Sequence, residues 1–239
     1  MEVINQSWFR LTDEISVELI EKKIKNMHLA VYPPNGNVRL AIPMNTPMEV
    51  YLLFAKSKLI WIKKSQKVFE NQDRISAREF KQRESHYYLG QRFLLRISEV
   101  DKNPRIELSS KQFLDLFVNK NSSPEKRKKI MDNWYRKELY QLLIPLITKW
   151  ENILGVKISD LKIRKMVRVW GSCNAKKSKI LLNLELIKKP KHCIEYVVLH
   201  ELLHLLVANH GDEYIKLFDL YMPNWRVLKN ELNCIPIND

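Results

Sequence analysis

Residues 197–210 read Val-Val-Leu-His-Glu-Leu-Leu-His-Leu-Leu-Val-Ala-Asn-His, three histidines and a glutamate in an otherwise aliphatic run. His200-Glu201-Leu202-Leu203-His204 has the pattern H-E-x-x-H. On a helix, residues four apart lie one above the other, so both imidazoles point the same way and can share one ion. Zinc takes nitrogen ligands at about 2.0–2.1 Å in a tetrahedral set, and a catalytic site leaves one position to water. Glu201 stands where it can hold that water and accept its proton. The alternative, two incidental core histidines, fails on energetics. Ile194, Val197, Val198, Leu199, Leu202, Leu203, Leu205, Leu206 and Val207 surround the polar groups, which marks a largely buried helix. An unpaired buried polar group costs roughly 2–7 kcal/mol. A divalent cation compensates all of them at once.

His210 lies six residues past His204, which carries it roughly 240° around a continuing helix and away from the ion. It can ligate only if the helix ends between them. Asn209, which tolerates the left-handed conformation, and Gly211 permit such an end. The spacing is that of the metzincin motif, but Val207 occupies the glycine position. Two readings of His210 stand at this point: third ligand, or solvent-exposed histidine in a turn. Glu213 is the alternative third ligand, and Glu231 a more distant one.

The surrounding pattern is α+β. "ISVELIEKK" and "MHLAVY" are strand-like, "PPNGN" is a turn, and "VRLAIP" is the second arm of a hairpin. One amphipathic helix is expected near 47–69, with Thr46 as N-cap and Pro47 at its first position. Residues 70–84 lack a period and read as loop. "HYYLGQRFLLRIS", "PRIELS" and "FLDLFVN" resume the strand pattern. From Ser122, Ser123 and Pro124 to Gly155 a helix is expected, kinked or divided at Pro145. "KIRKMVRVWGSC" and "KILLNLELI" read as an antiparallel strand pair, followed by the metal helix and two short helices, the second starting at Pro223. No internal repeat is evident. The expected division is an N-terminal β-rich domain over 1–120, containing the one long helix, and a C-terminal domain over 121–239 carrying the chemistry.

Composition narrows the function classes. No apolar run reaches the ~20 residues of a membrane span, and the N-terminal residues lack a secretory pattern. Cys173, Cys193 and Cys234 are too few and too scattered for a disulfide framework, so a cytoplasmic protein is expected. The formal net charge of +14 favours polyanions, nucleotides or nucleic acid, although the lysines are spread along the chain.

"VWGSCNAKKSKILLNLELIKKPKHCIEYVVLHELLHLLVANHGDEYIKLFDLYMPNW" resembles the YgjP-like (SprT-like) metal-dependent hydrolase family, with a weaker likeness upstream through "NMHLAVYPPNGNVRLAIP", "WIKK" and "YYLGQRFLLRI". The resemblance implies a zincin-like C-terminal part, in which the H-E-x-x-H helix packs on an antiparallel sheet. It further implies zinc held by His200, His204 and His210, with Glu201 as general base. Val169 stands where the family has arginine before Trp170, and Gly211 where it has serine. In zincin folds a strand beside the metal helix pairs with extended substrate. Trp170, Gly171, Ser172 and Cys173 are therefore candidates to line the cleft, or else form a strand end with a bend at Gly171 and an inert thiol. Asn183 is a candidate for orienting a ligand or for shaping a turn, and Asn209 is a further candidate beside the ligands. The expected substrate is a peptide or protein. The alternatives are nucleoside triphosphate hydrolysis at the same metal, or an SprT-like protease associated with DNA through the basic surface.

Overall fold

Aliphatic residues at every second position define the sheets. Val38, Leu40 and Ile42 are buried on one strand, and Leu114, Leu116 and Val118 on another, while their neighbours stay accessible. The fold is described from a computed structural model that covers residues 5–32, 35–70, 78–167 and 169–234. The chain forms two compact units, 1–74 and 75–239. The boundary expected at 120/121 falls inside the second, because the strands of 85–118 share one core with the helices that follow.

The first unit contains strands β1 (Asn5–Arg10), β2 (Ser16–Lys22), β3 (His28–Tyr32) and β4 (Asn37–Pro43) in the order β1-β2-β4-β3. Helices α1 (Met48–Ser57) and α2 (Leu59–Glu70) follow. The single helix expected over 47–69 is thus two, separated at Lys58, whose backbone (φ −98°, ψ 4°) leaves the helical range and whose N–H bonds to Ala55 O. Thr46 does not cap α1. Its hydroxyl donates to Pro43 O at 2.7 Å, and Pro47, extended at ψ 147°, is the capping residue.

The second unit opens with β5 (Ser85–Tyr88), β6 (Gln91–Glu99), β7 (Arg105–Leu108) and β8 (Phe113–Val118), in the order β5-β6-β8-β7. This repeats the topology of the first sheet: antiparallel outer pairs around a parallel central pair. The repeat extends to a cross-strand ion pair. Glu18 faces Arg39 across β2 and β4 (2.6 Å), and Arg96 faces Asp115 across β6 and β8 (2.6 Å). The charges are exchanged between the strands: the acid is on β2 in the first sheet and on β8 in the second.

Helix α3 (Pro124–Leu154) is capped by Ser123, whose side chain accepts from Lys126 N, and ends at Gly155 in the left-handed conformation (φ 67°). Met131, Tyr135, Leu139, Leu143, Ile147 and Trp150 form its buried stripe. Contrary to the expected division, α3 is one helix of 31 residues. Pro145 is exposed, so its ring does not enter the packed face. Strands β9 (Asp160–Arg164), β10 (Gly171–Asn174) and β11 (Lys179–Asn183) then form a sheet in the order β10-β11-β9. The expected simple antiparallel pair is therefore a mixed sheet, because "KIRKMVRVWGSC" contains two strands: β10 runs antiparallel and β9 parallel to β11. Helices α4 (Lys191–Leu203), α5 (Asp212–Tyr221) and α6 (Trp225–Cys234) complete the unit. The last begins at Trp225 and not at Pro223.

The β5–β6 turn positions the start of α4. Leu89 N and Gly90 N donate to Ile187 O (2.8 Å) and Lys188 O (3.1 Å), just ahead of Pro190, the residue capping α4. Gly90 has φ +82°, and a Cβ there would lie 2.8 Å from Pro190 Cγ. Gly90→Ala combines left-handed strain with a steric clash and is expected to destabilise the second unit by about 2 kcal/mol in urea unfolding. An unchanged midpoint would show that this turn does not anchor α4.

Candidate metal centre

The H-E-x-x-H segment is helical through Leu203, and His204 is the capping residue (φ −66°, ψ −13°). The chain then tightens: Leu205 N bonds Leu202 O, Leu206 N bonds Leu203 O, and Val207 N bonds Leu203 O. The helix therefore ends several residues before "VANH", where the break is expected from sequence. Neither Asn209 nor Gly211 has positive φ. The turn that delivers His210 is made with ordinary backbone angles, and so it does not need the glycine that Val207 replaces.

Donor nitrogens of His200, His204 and His210 all lie within 4.8 Å of one another. The Nε2 atoms of His200 and His210 are 3.2 Å apart. His204 Nδ1 lies 3.2 Å from Val207 O, so its N–H donates to that carbonyl and leaves Nε2 as the free donor. Tyr214, which sequence reasoning missed, completes the frame. Its ring stacks on His204 (centroids 4.9 Å, 26° between planes), and its hydroxyl donates to His200 O at 2.9 Å. A detectable signal was there: Tyr214 and Phe218 are four apart on α5, an apolar pair aimed at the metal helix.

Burial, with the neighbouring His204, His210 and Lys229, pushes the pKa of His200 down to about 3. Burial likewise lowers that of His210, together with His204 and Lys229. Neutral imidazoles are the form a metal requires. Glu201 is 4% exposed, and no group among the described residues hydrogen-bonds its carboxyl. Burial pushes its pKa up to about 8. Three imidazoles with donor nitrogens facing one point, beside a buried carboxyl, fit a zinc-type ion, whose charge would stabilise the carboxylate.

The other sequence candidates separate. Gly171 lies directly against Glu201: a Cβ there would stand 2.5 Å from Oε1 and 2.8 Å from Cγ. Trp170 is half-buried with Lys189 Nζ 4.8 Å from its ring centroid, Ser172 is exposed, and Cys173 shares the half-buried face of β10 with Gly171. Burial and Glu201 push the Cys173 thiol up to about 11, which keeps it protonated and unreactive. Asn183 is fully buried, but its partners are backbone groups: Met166 N and O, Val169 O and Glu185 N. It shapes the loop that leads into β10, and none of these hydrogen bonds goes to a histidine. Asn209 is exposed and has no side-chain hydrogen bond among the described residues. Glu213 is exposed and outside the histidine cluster, and Glu231 belongs to a separate group with His192 and Cys193. Arg168 lies outside the described residues.

A metal-dependent hydrolase is the class of protein that uses such a donor set. A family model described as "YgjP-like, metallopeptidase domain" matches residues 25–234, and the chain belongs to that family. It is accordingly a metal-dependent hydrolase of the metallopeptidase type. No curated protein matches it. Among solved structures, the metallopeptidase zymogen of Pyrococcus abyssi abylysin is similar at 19% identity and a TM-score of 0.34, over 36% of this chain and 87% of that one. The metallopeptidase zymogen of Methanocaldococcus jannaschii jannalysin is similar at 19% identity and a TM-score of 0.34, over 37% and 84%. Among the described residues no helix is long and apolar enough to cross a membrane.

The contact between Gly171 and Glu201 is testable on its own. Gly171→Ala is expected to cost roughly 1–3 kcal/mol by overpacking. Adding Glu201→Ala should recover most of that loss, read as a coupling energy in a double-mutant cycle. Additive effects would mean that the two residues do not compete for the same space.

Proposed function

We propose that the chain is a zincin-like peptidase, with His200, His204 and His210 holding a zinc ion and Glu201 acting as general base. The observation that carries this reading is the convergence of three imidazoles beside a buried carboxyl that makes no hydrogen bond among the described residues. When bound, zinc polarises the scissile carbonyl and acidifies the attacking water. Glu201 takes the proton from that water and passes it to the departing amine. Tyr214 fixes the ring plane of His204 and, through its hydrogen bond to His200 O, the end of α4. Gly171 leaves the space that the Glu201 side chain fills.

β10 is an edge strand of its sheet and lies against Glu201 through Gly171. An extended peptide adding to that edge would run Trp170–Cys173 alongside its scissile bond. In this reading Trp170, Gly171 and Ser172 align substrate, and Cys173 is packing. Glu201→Gln is expected to keep its metal and lose at least about a hundredfold in kcat on an unfolded protein substrate, with chelator abolishing the wild-type activity. Equal turnover by the variant would end the assignment. Metal-dependent release of phosphate or pyrophosphate from nucleoside triphosphates, with no peptide cleavage, would transfer the same site to nucleotide hydrolysis.

A second observation favours association with nucleic acid. Arg136, Lys137, Lys162 and Arg164 line a groove of about 860 Å³ between α3 and β9, with exposed Tyr140 among them and no carboxylate in its lining. Cations along a groove with an exposed aromatic ring suit a single strand, which would bring DNA-bound proteins to the peptidase site. Binding to single-stranded DNA should weaken steeply with salt and fall when Arg136 and Lys162 are both replaced by Glu. Salt-insensitive or undetectable binding would remove this reading.

A further inference from the structure

Outside the histidine cluster, one other group of described side chains brings metal donors together. We propose that His192, Cys193 and Glu231 form a second metal site, for a zinc-like divalent ion, that staples α6 to the first turn of α4. Their donor atoms lie within 4.8 Å of one another. His192 Nε2 and Glu231 Oε2 are 2.8 Å apart. Bonds of 2.0–2.3 Å in a tetrahedron place donors about 3.3–3.7 Å apart, so small side-chain rotations close the set around an ion.

A plain ion pair between His192 and Glu231 accounts for two of the three groups and leaves the third unexplained. Cys193 is 0% exposed, and among the described residues the hydrogen bond its thiol makes is a weak one, 3.9 Å to Leu228 O. Leu228 precedes Glu231 by one helical turn, so the thiol and the carboxylate meet at the same stretch of the α4–α6 contact. Burial and Glu231 keep the thiol protonated, with its pKa pushed up to about 11. Metal binding replaces the S–H bond with an S–metal bond and releases the proton to solvent. Thiolate and carboxylate then balance a dication, which suits a site walled by helix on one side. His192 and Glu231 are partly exposed, leaving room for water as the fourth ligand. Nitrogen, sulfur and oxygen together are a zinc-type donor set, distinct in kind from the all-nitrogen cluster.

That difference gives the test. Full-length protein stripped by chelator and titrated with cobalt(II) should bind two equivalents. One of them should produce a thiolate-to-cobalt charge-transfer band, which the three-histidine cluster cannot. Cys193→Ala should lose the band and one equivalent while peptidase activity is retained. His192→Ala, an exposed and structurally mild change, should weaken the second equivalent by at least about tenfold and leave the first intact. A single equivalent without a sulfur band overturns the proposal, whereas a single equivalent that carries the band leaves it standing and counts against the three-histidine cluster. Two equivalents without a sulfur band, or a band that survives in Cys193→Ala, also overturn it. These last outcomes are independent of the peptidase assignment, which rests on the other cluster.

Discussion

A carboxyl group buried in an aliphatic helix, with no hydrogen bond among the described residues, is the constraint on which the rest of the second unit depends. Glu201 is held on α4 between aliphatic neighbours and lies against the backbone of β10 at Gly171. Left alone it would be protonated, and burial does raise its pKa. A cation held by the three imidazoles beside it would reverse that preference. The strand, the helix and the ligand turn are therefore parts of one electrostatic arrangement.

The ligand turn shows how little special backbone geometry such a site needs. Helix α4 stops at Leu203 because its last carbonyls bond to N–H groups three residues on, and His204 becomes the cap. The same turn points Val207 O at His204 Nδ1, which orients that imidazole. One local event thus ends the helix, fixes an imidazole and turns His210 back toward His200. Tyr214, at the first turn of α5, locks the result from the other side through a stacked ring and a hydrogen bond.

Much of this was legible in the sequence, for identifiable reasons. The alternation in "VRLAIP" and "FLDLFV", the Ser123 cap and the Gly155 stop of α3 are local signals that do not depend on distant residues, and each appears where expected. Misreadings arose where local and distant forces compete. Pro145 suggested a kink or two helices in series, and the division does not occur, because the stripe from Met131 to Trp150 packs without the proline ring. Asn183 was open to two readings, orienting a ligand or shaping a turn, and its hydrogen bonds to the loop before β10 agree with the second. The repeat of the four-stranded sheets lies in strand order and pairing, which are properties of the fold and not of the local pattern.

By itself the sequence determined the chemistry of α4: which residues bring nitrogen and carboxylate to one helical face, and that an aliphatic surround makes them costly without an ion. That follows from a four-residue spacing and from transfer energetics, both local properties. Only the tertiary structure decided that His210 approaches His200, that Gly171 makes room for Glu201, and that His192, Cys193 and Glu231 meet. Each of these contacts joins separate elements of the chain, and their packing sets distances that spacing along a sequence does not contain.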